Sequence, residues 1–236
     1  MFKRFIIDKE LSKNPHFVIA PILILVIVVA YFVLPSLGSQ TFASPDETAV
    51  ALAAQRFAQA EGVRVSMPLA ITYPWLHPRS WVSQGDALVP VGFLGWPILL
   101  APFIFVFSAG VLPWIGGVLM LSALFPLFRL LRSHFSLIAS SIGVGVMAMS
   151  PITILYANRG LFPNVALMVL GLWSIWAIQE ASIKRKRWWL VGLLCALAIT
   201  IRPIESVWIV PWWIWALKRT GVKYHYKMAL TCAIGF

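Results

Sequence analysis

Apolar runs close to the length of a bilayer crossing recur along almost the whole chain, and this limits the fold more than any motif does. They cover residues 17–36, 111–131, 135–156, 161–178, 188–201, 204–217 and 228–236. A helix needs about 20 mostly apolar residues to cross the hydrocarbon core. Only helices and closed barrels satisfy their own backbone groups there. Composition agrees: 60% of the residues are hydrophobic and 11% are charged, against about 45–50% and about 25% in soluble domains. The expected fold is all-α, a polytopic transmembrane helical bundle forming one domain over residues 1–236. A long first external loop with surface helices interrupts it. The expected location is integral and multi-pass, in the cell membrane.

A net charge of +11 would suggest nucleic acid in a soluble chain. Here cationic residues gathering in cytoplasmic loops explain most of it, so no nucleic-acid partner is expected. Lys3, Arg4, Lys9 and Lys13 precede the first run, which places the N-terminus in the cytoplasm. That run lacks a small-residue cleavage site and reads as a retained anchor. Residues 37–89 then form the first external loop. The next apolar stretch, 89–108, carries Pro90, Gly92, Gly95, Pro97 and Pro102. If it crossed, the block Lys184, Arg185, Lys186, Arg187 would lie outside, with Lys218 and Arg219. Reading 89–108 as a re-entrant or interfacial segment returns each later basic loop to the cytoplasm. The basic residues left outside are then Arg56, Arg64, Arg79, Arg159 and Arg202, all arginines. A planar guanidinium fork suits phosphate, although ordinary ion pairing would equally account for them.

Acids are scarce, with 8 in 236 residues, yet Asp46 and Glu47 stand together at the start of the outer loop. Ser44, Pro45 and Glu47 read as N-cap, first helical residue and capping-box acid. Ala49, Val50, Ala53, Ala54, Phe57 and Ala58 recur at helical spacing, and Gln55, Arg56 and Gln59 take the other face. This predicts an amphipathic helix along the membrane surface, ended by Gly62. Both acids have a structural reading, since a cap uses Glu47 and the helix dipole favours Asp46. Capping leaves Asp46 without an assigned partner, which suits a general base.

Residues 67–86 mix proline, aromatic and polar residues without periodicity and read as an irregular, functional loop. His77, Arg79 and Asp86 are its candidate substrate contacts, with Asp86 equally a turn residue after Gly85. No spacing of His and Cys predicts a metal site. Arg159 and Arg202 fall, by counting crossings, on the same side as Asp46. The plainer alternatives are an Arg202–Glu205 pair and an Arg159 that snorkels to the interface. Cys195 and Cys232 lie in apolar stretches and read as packed hydrophobes. The 12 tryptophans fit interfacial anchoring or packing, and nothing in the spacing of Trp75, Trp81 and Trp96 requires that they stack on a sugar ring.

Three features together resemble the GT-C membrane glycosyltransferases. They resemble most the branch with protein O-mannosyltransferases, lipid A aminoarabinose transferases and Rgt-type lipopolysaccharide sugar transferases. One feature is a single span followed by Ser44-Pro45-Asp46-Glu47 in a long outer loop. Another is the broken segment from Pro90 to Pro97, and the last is the run through Met149, Ser150, Pro151, Tyr156, Asn158, Arg159, Arg202 and Pro203. Relatives usually carry a His-Pro-Pro-Leu-like motif at the broken segment, where this chain has Pro90-Val91-Gly92-Phe93. They also usually have more spans, so the chain is expected to be truncated at its C-terminus.

The resemblance implies a sugar moved from a polyprenyl-phosphate donor to a lipid, glycan or protein hydroxyl at the outer membrane face. It implies Asp46 and Glu47 as the catalytic pair. Arg159 or Arg202 would steady the leaving phosphate, both being candidate substrate contacts, and membrane lipids would surround the donor's tail. No cofactor is called for, and assistance by a divalent metal ion stays open. The competing readings are a transporter or flippase of lipid-linked sugars and a non-catalytic scaffold for which Asp46 and Glu47 only cap a helix.

Overall fold

The computed structural model describes residues 26–33, 42, 44–75, 77–184, 188–212 and 214–215. The expected run 228–236, the end of 204–217, Cys232 and the basic N-terminal stretch lie outside these. The described chain is mostly helical. A short helix, α1 (residues 26–33), precedes the loop helix α2 (Pro45–Ala58). Strand β1 (Val65–Ser66), helix α3 (Leu69–Thr72) and strands β2 (Trp81–Gln84) and β3 (Ala87–Pro90) follow. The apolar helices are α4 (Gly95–Phe107), α5 (Leu112–Arg132), α6 (Leu137–Met149), α7 (Pro151–Ala157), α8 (Pro163–Lys184) and α9 (Trp188–Ile201).

Among the described residues, Ala109–Arg132 and Pro163–Ala181 are each long and apolar enough to cross a membrane. A third candidate arises if α6 and α7 count as one span; they meet at 60° where a single run over 135–156 was expected. Pro151 lacks an N–H, and the residue before a proline is pushed out of the helical region. Ser150 accordingly sits extended at ψ 139 and caps α7 with its hydroxyl. Helix α4 has 13 residues, about 20 Å, too short to cross a core of about 30 Å.

The loop departs from expectation in two places. Residues 67–86 are irregular only in part: they hold α3 and β2, and β2 joins β3 and β1, which flank the stretch, in an antiparallel sheet of order β1-β3-β2. Gln84 faces Ala87 across a two-residue turn with Gly85 at φ 64, the conformation such hairpins require. Helix α2 also ends earlier than Gly62. Ala60 takes φ 56, and the Ala60 and Glu61 amides donate to Phe57 and Arg56 carbonyls, a Schellman close.

Nor does the apolar face of α2 lie open to a membrane surface. Trp81 and Leu88 of the sheet cover Ala49. Trp96, Leu100 and Ile104 of α4 pack with Ala51 and Ala54. Alanines let the neighbours come close, so α2 is clamped between the sheet and α4. The outer surfaces of the apolar helices instead expose Phe105, Val118, Ile142, Val146 and Leu193, faces suited to hydrocarbon rather than water.

Helix α5 packs against α8, and α8 against α9. The end of α7 is drawn tightly onto α5. A Cβ on Gly116 would overlap the Ala157 carbonyl and the Gly160 backbone, and a Cβ on Gly160 would overlap Gly116. Gly116→Val is therefore expected to lower stability by about 1–3 kcal/mol, the usual range for overpacking. Gly62→Ala meets nothing within 4 Å and should be near neutral. Thermal unfolding of the two variants in detergent checks the contrast.

Candidate functional site

The residues singled out in the sequence gather at one end of the helices, where α5 and α8 begin and α7 and α9 finish. At the start of α2, the Glu47 amide donates to the Ser44 hydroxyl, and that hydroxyl donates to Glu47 Oε2 at 3.2 Å. Glu47 is only 3% exposed. Burial of a lone carboxylate is expensive, so a partner is required. Arg159 supplies it from the turn after α7, donating through Nη2 at 3.1 Å and Nε at 3.3 Å to the same oxygen. The Arg159 guanidinium also lies 4.5 Å from the centre of the Phe162 ring, a cation–π contact. Glu47 is thus more than a capping residue, and Arg159 is held by protein rather than snorkelling.

Successive helical residues point about 100° apart. With Glu47 turned inward, Asp46 is exposed and lines a cavity of about 480 Å³. The cavity also takes in Arg79, Ser80, Phe162, Asn164 and Arg202, with apolar walls from Val50, Val91, Phe93 and Leu94. The loop before α4, the start of α8 and the end of α9 therefore all contribute. Gly95 fixes one wall, because a Cβ there would overlap the Thr200 carbonyl of α9. A second cavity of about 450 Å³ lies between α2 and the sheet, and Arg79 lines both.

The charges at this end pair off almost completely. Arg56 bonds Glu61 at 3.0 Å, Arg64 approaches Asp86 at 3.9 Å, Arg159 holds Glu47, and Arg202 holds Glu205. Asp46 and Arg79 make no ion pair among the described residues, and both face the larger cavity. Asp46 accepts a hydrogen bond from the Ser80 hydroxyl. The structure so brings together Asp46, Arg79 and Arg202. Glu47 and Arg159 sit behind them as a buried brace.

Two candidates line neither cavity. Asp86 occupies the exposed hairpin turn beside Arg64, the turn role weighed for it in the sequence. His77 is exposed, with Nδ1 3.2 Å from the Pro78 carbonyl, and lines neither cavity. Trp81 and Trp96 are buried in the two packing clusters beside α2, whereas Trp75 is 73% exposed. Sequence reasoning missed Ser80, Phe162 and Asn164. A lone serine, phenylalanine or asparagine gives no local signal when its partner is distant in the chain. Among the described residues, no group of three His, Cys, Asp or Glu side chains is placed to hold a metal ion.

Arg202 is only half committed. Among the described residues its buried Nε and the Glu205 Oε2 lack hydrogen-bond partners. The hydrogen bond from Arg202 holds the Glu205 carboxyl below its ordinary value of 4.5, helped by a backbone hydrogen bond. A carboxyl lowered on folding stabilises the fold above its unfolded pKa and loses that effect as pH falls through the folded one. The stability advantage of the unmodified chain over Glu205→Gln should thus be present at pH 7 and vanish in acid, read from unfolding midpoints across pH. Arg159→Ala strands a buried carboxylate. The loss expected is about 2–3 kcal/mol, below the fully buried range because Arg159 keeps a quarter of its side chain exposed. Denaturation in detergent measures it.

No protein-family model, curated protein or solved structure matches this chain.

Proposed function

We propose that this chain is a membrane glycosyltransferase that moves a sugar from a polyprenyl-phosphate donor to an acceptor hydroxyl at the outer face. The observation that carries the reading is the pairing of charges. Of the arginines and carboxylates at this end, Asp46 and Arg79 alone lack an ionic partner among the described residues, and they face one cavity. A carboxylate free to take a proton and a guanidinium free to take an anion are the two groups such a transfer needs.

In this reading the acceptor oxygen attacks the anomeric carbon while its proton passes to Asp46. The bond from that carbon to the phosphate oxygen breaks, and the lipid phosphate leaves with the electron pair. The sugar's configuration is inverted. Arg79, and Arg202 through donors not occupied by Glu205, stabilise the phosphate charge as it develops. A phosphate is already a competent leaving group, so no acid partner is required. The second cavity shares Arg79 with the first.

Other features support the placement. Arg129, Arg132 and Lys184 stand at the far ends of α5 and α8, and Arg129 pairs there with Glu180 at 3.3 Å. By the positive-inside tendency that end faces the cytoplasm and the cavity faces outward. The apolar helix surfaces below the cavity suit a lipid tail within a polytopic bundle. The resemblance of Ser44-Pro45-Asp46-Glu47 and the broken segment to GT-C enzymes points to the same chemistry.

The test incubates membranes carrying the chain with labelled polyprenyl-phosphate sugars and follows label into lipid, glycan and protein. Asp46→Asn should lower transfer about 10²–10⁴-fold, the usual loss of a general base. Arg79→Gln should raise the KM for the donor. Unchanged transfer by a folded Asp46→Asn protein refutes the assignment of the base. Lipid-linked sugar crossing the membrane with no covalent product would instead make the chain a flippase.

A further inference from the structure

We infer that Ser80 is a positioning residue that holds the Asp46 carboxylate for proton transfer, an inference resting on the reading of Asp46 as the base. Ser80 lies 34 residues from Asp46 in the chain, and its hydroxyl donates to Asp46 Oδ1. The other oxygen, Oδ2, accepts no hydrogen bond from a described residue. One oxygen is tethered, and its twin is left to meet an acceptor hydroxyl in the cavity that both residues line.

The backbone makes serine an unexpected choice here. The Trp81 amide donates to the Pro78 carbonyl at 3.1 Å, closing a four-residue turn. Ser80, third in the turn, has φ 72, and Arg79 is not among the left-handed residues. That is the pattern of a type II turn, whose third position favours glycine or asparagine. The Val91 amide donates to the Ser80 carbonyl at 3.0 Å and pins the turn to the end of β3. Five residues on, the hairpin needs the same sign of φ and uses Gly85. Ala60 and Ser108 also have positive φ, so conformation by itself is no argument. Ser80 is set apart because its hydroxyl reaches a carboxylate without an ion pair. Glycine would ease the turn but could not make that bond.

Conformation and donor can be varied separately. Ser80→Gly fits the turn and removes the donor, Ser80→Asn fits the turn and keeps one, and Ser80→Ala keeps the strain and removes the donor. In the labelled-donor assay, Ser80→Gly should show kcat about tenfold lower, the effect of one lost hydrogen bond at the transition state. Its KM should stay within about twofold, and its unfolding midpoint should equal or exceed that of the unmodified chain. Ser80→Asn should keep kcat within about threefold. Full kcat in Ser80→Gly, or equal losses in the Gly and Asn variants, overturns the inference. If Asp46→Asn is impaired while Ser80→Gly is not, the base assignment survives and the positioning role falls. If Asp46→Asn transfers normally, the base assignment falls and the inference with it. If no labelled donor is turned over, unfolding midpoints of Ser80→Ala, Asp46→Ala and the double variant decide. Additive shifts overturn the inference, and a smaller effect of Ser80→Ala in the Asp46→Ala background upholds it.

Discussion

The buried ion pair between Glu47 and Arg159 organises this end of the molecule. It joins residues 112 apart in the chain, tying the first turn of the loop helix to the turn between α7 and α8. Because Glu47 is almost fully enclosed, its carboxylate needs hydrogen-bonding partners, which Arg159 and Ser44 provide. The Gly116–Gly160 contact beneath holds the arginine's turn against α5. Turning Glu47 inward leaves its neighbour Asp46 facing the cavity. One acid braces the helix so that the other has a fixed direction.

That division gives the two acids different roles. A capping acid at Glu47 and a dipole-favoured acid at Asp46 would both suffice for a scaffold, so adjacency alone does not separate structure from chemistry. The separation comes from partners. Four arginines take four carboxylates, three of them near in sequence or across the short sheet and one across the fold. The arginine bias at this end of the helices is therefore mostly ordinary pairing, and Arg79 is the exception. Its position between two cavities connects the sheet to the proposed transfer.

Much of the fold was legible because periodicity is a local property. The runs over 111–131 and 161–178 appear as α5 and α8, the Ser44-Pro45 start of α2 is in place, and the prolines of 89–108 leave only a short helix there. Pro151 was visible too, but the 60° bend depends on how α6 and α7 settle against α5. The hairpin at Gly85-Asp86 was missed because its strands have only four residues each, too few for alternation to stand out in a proline- and aromatic-rich stretch. The end of α2 at Ala58, closed through Ala60 rather than Gly62, was hidden as well. It rests on the Schellman bonds, with the Arg56–Glu61 pair beside them, and not on intrinsic preference.

Sequence alone determined that this chain is dominated by apolar helices with sparse charge, and that its first loop opens with a capped acid pair. Those properties follow from residue type and near spacing, which act over one or two helical turns. Tertiary structure decided which acid is buried, which arginine remains unpaired, and that Ser80 meets Asp46. The burial of Glu47 against Arg159 and the meeting of Ser80 with Asp46 depend on residues 112 and 34 positions apart being packed to hydrogen-bonding distance, and no local pattern encodes such a meeting.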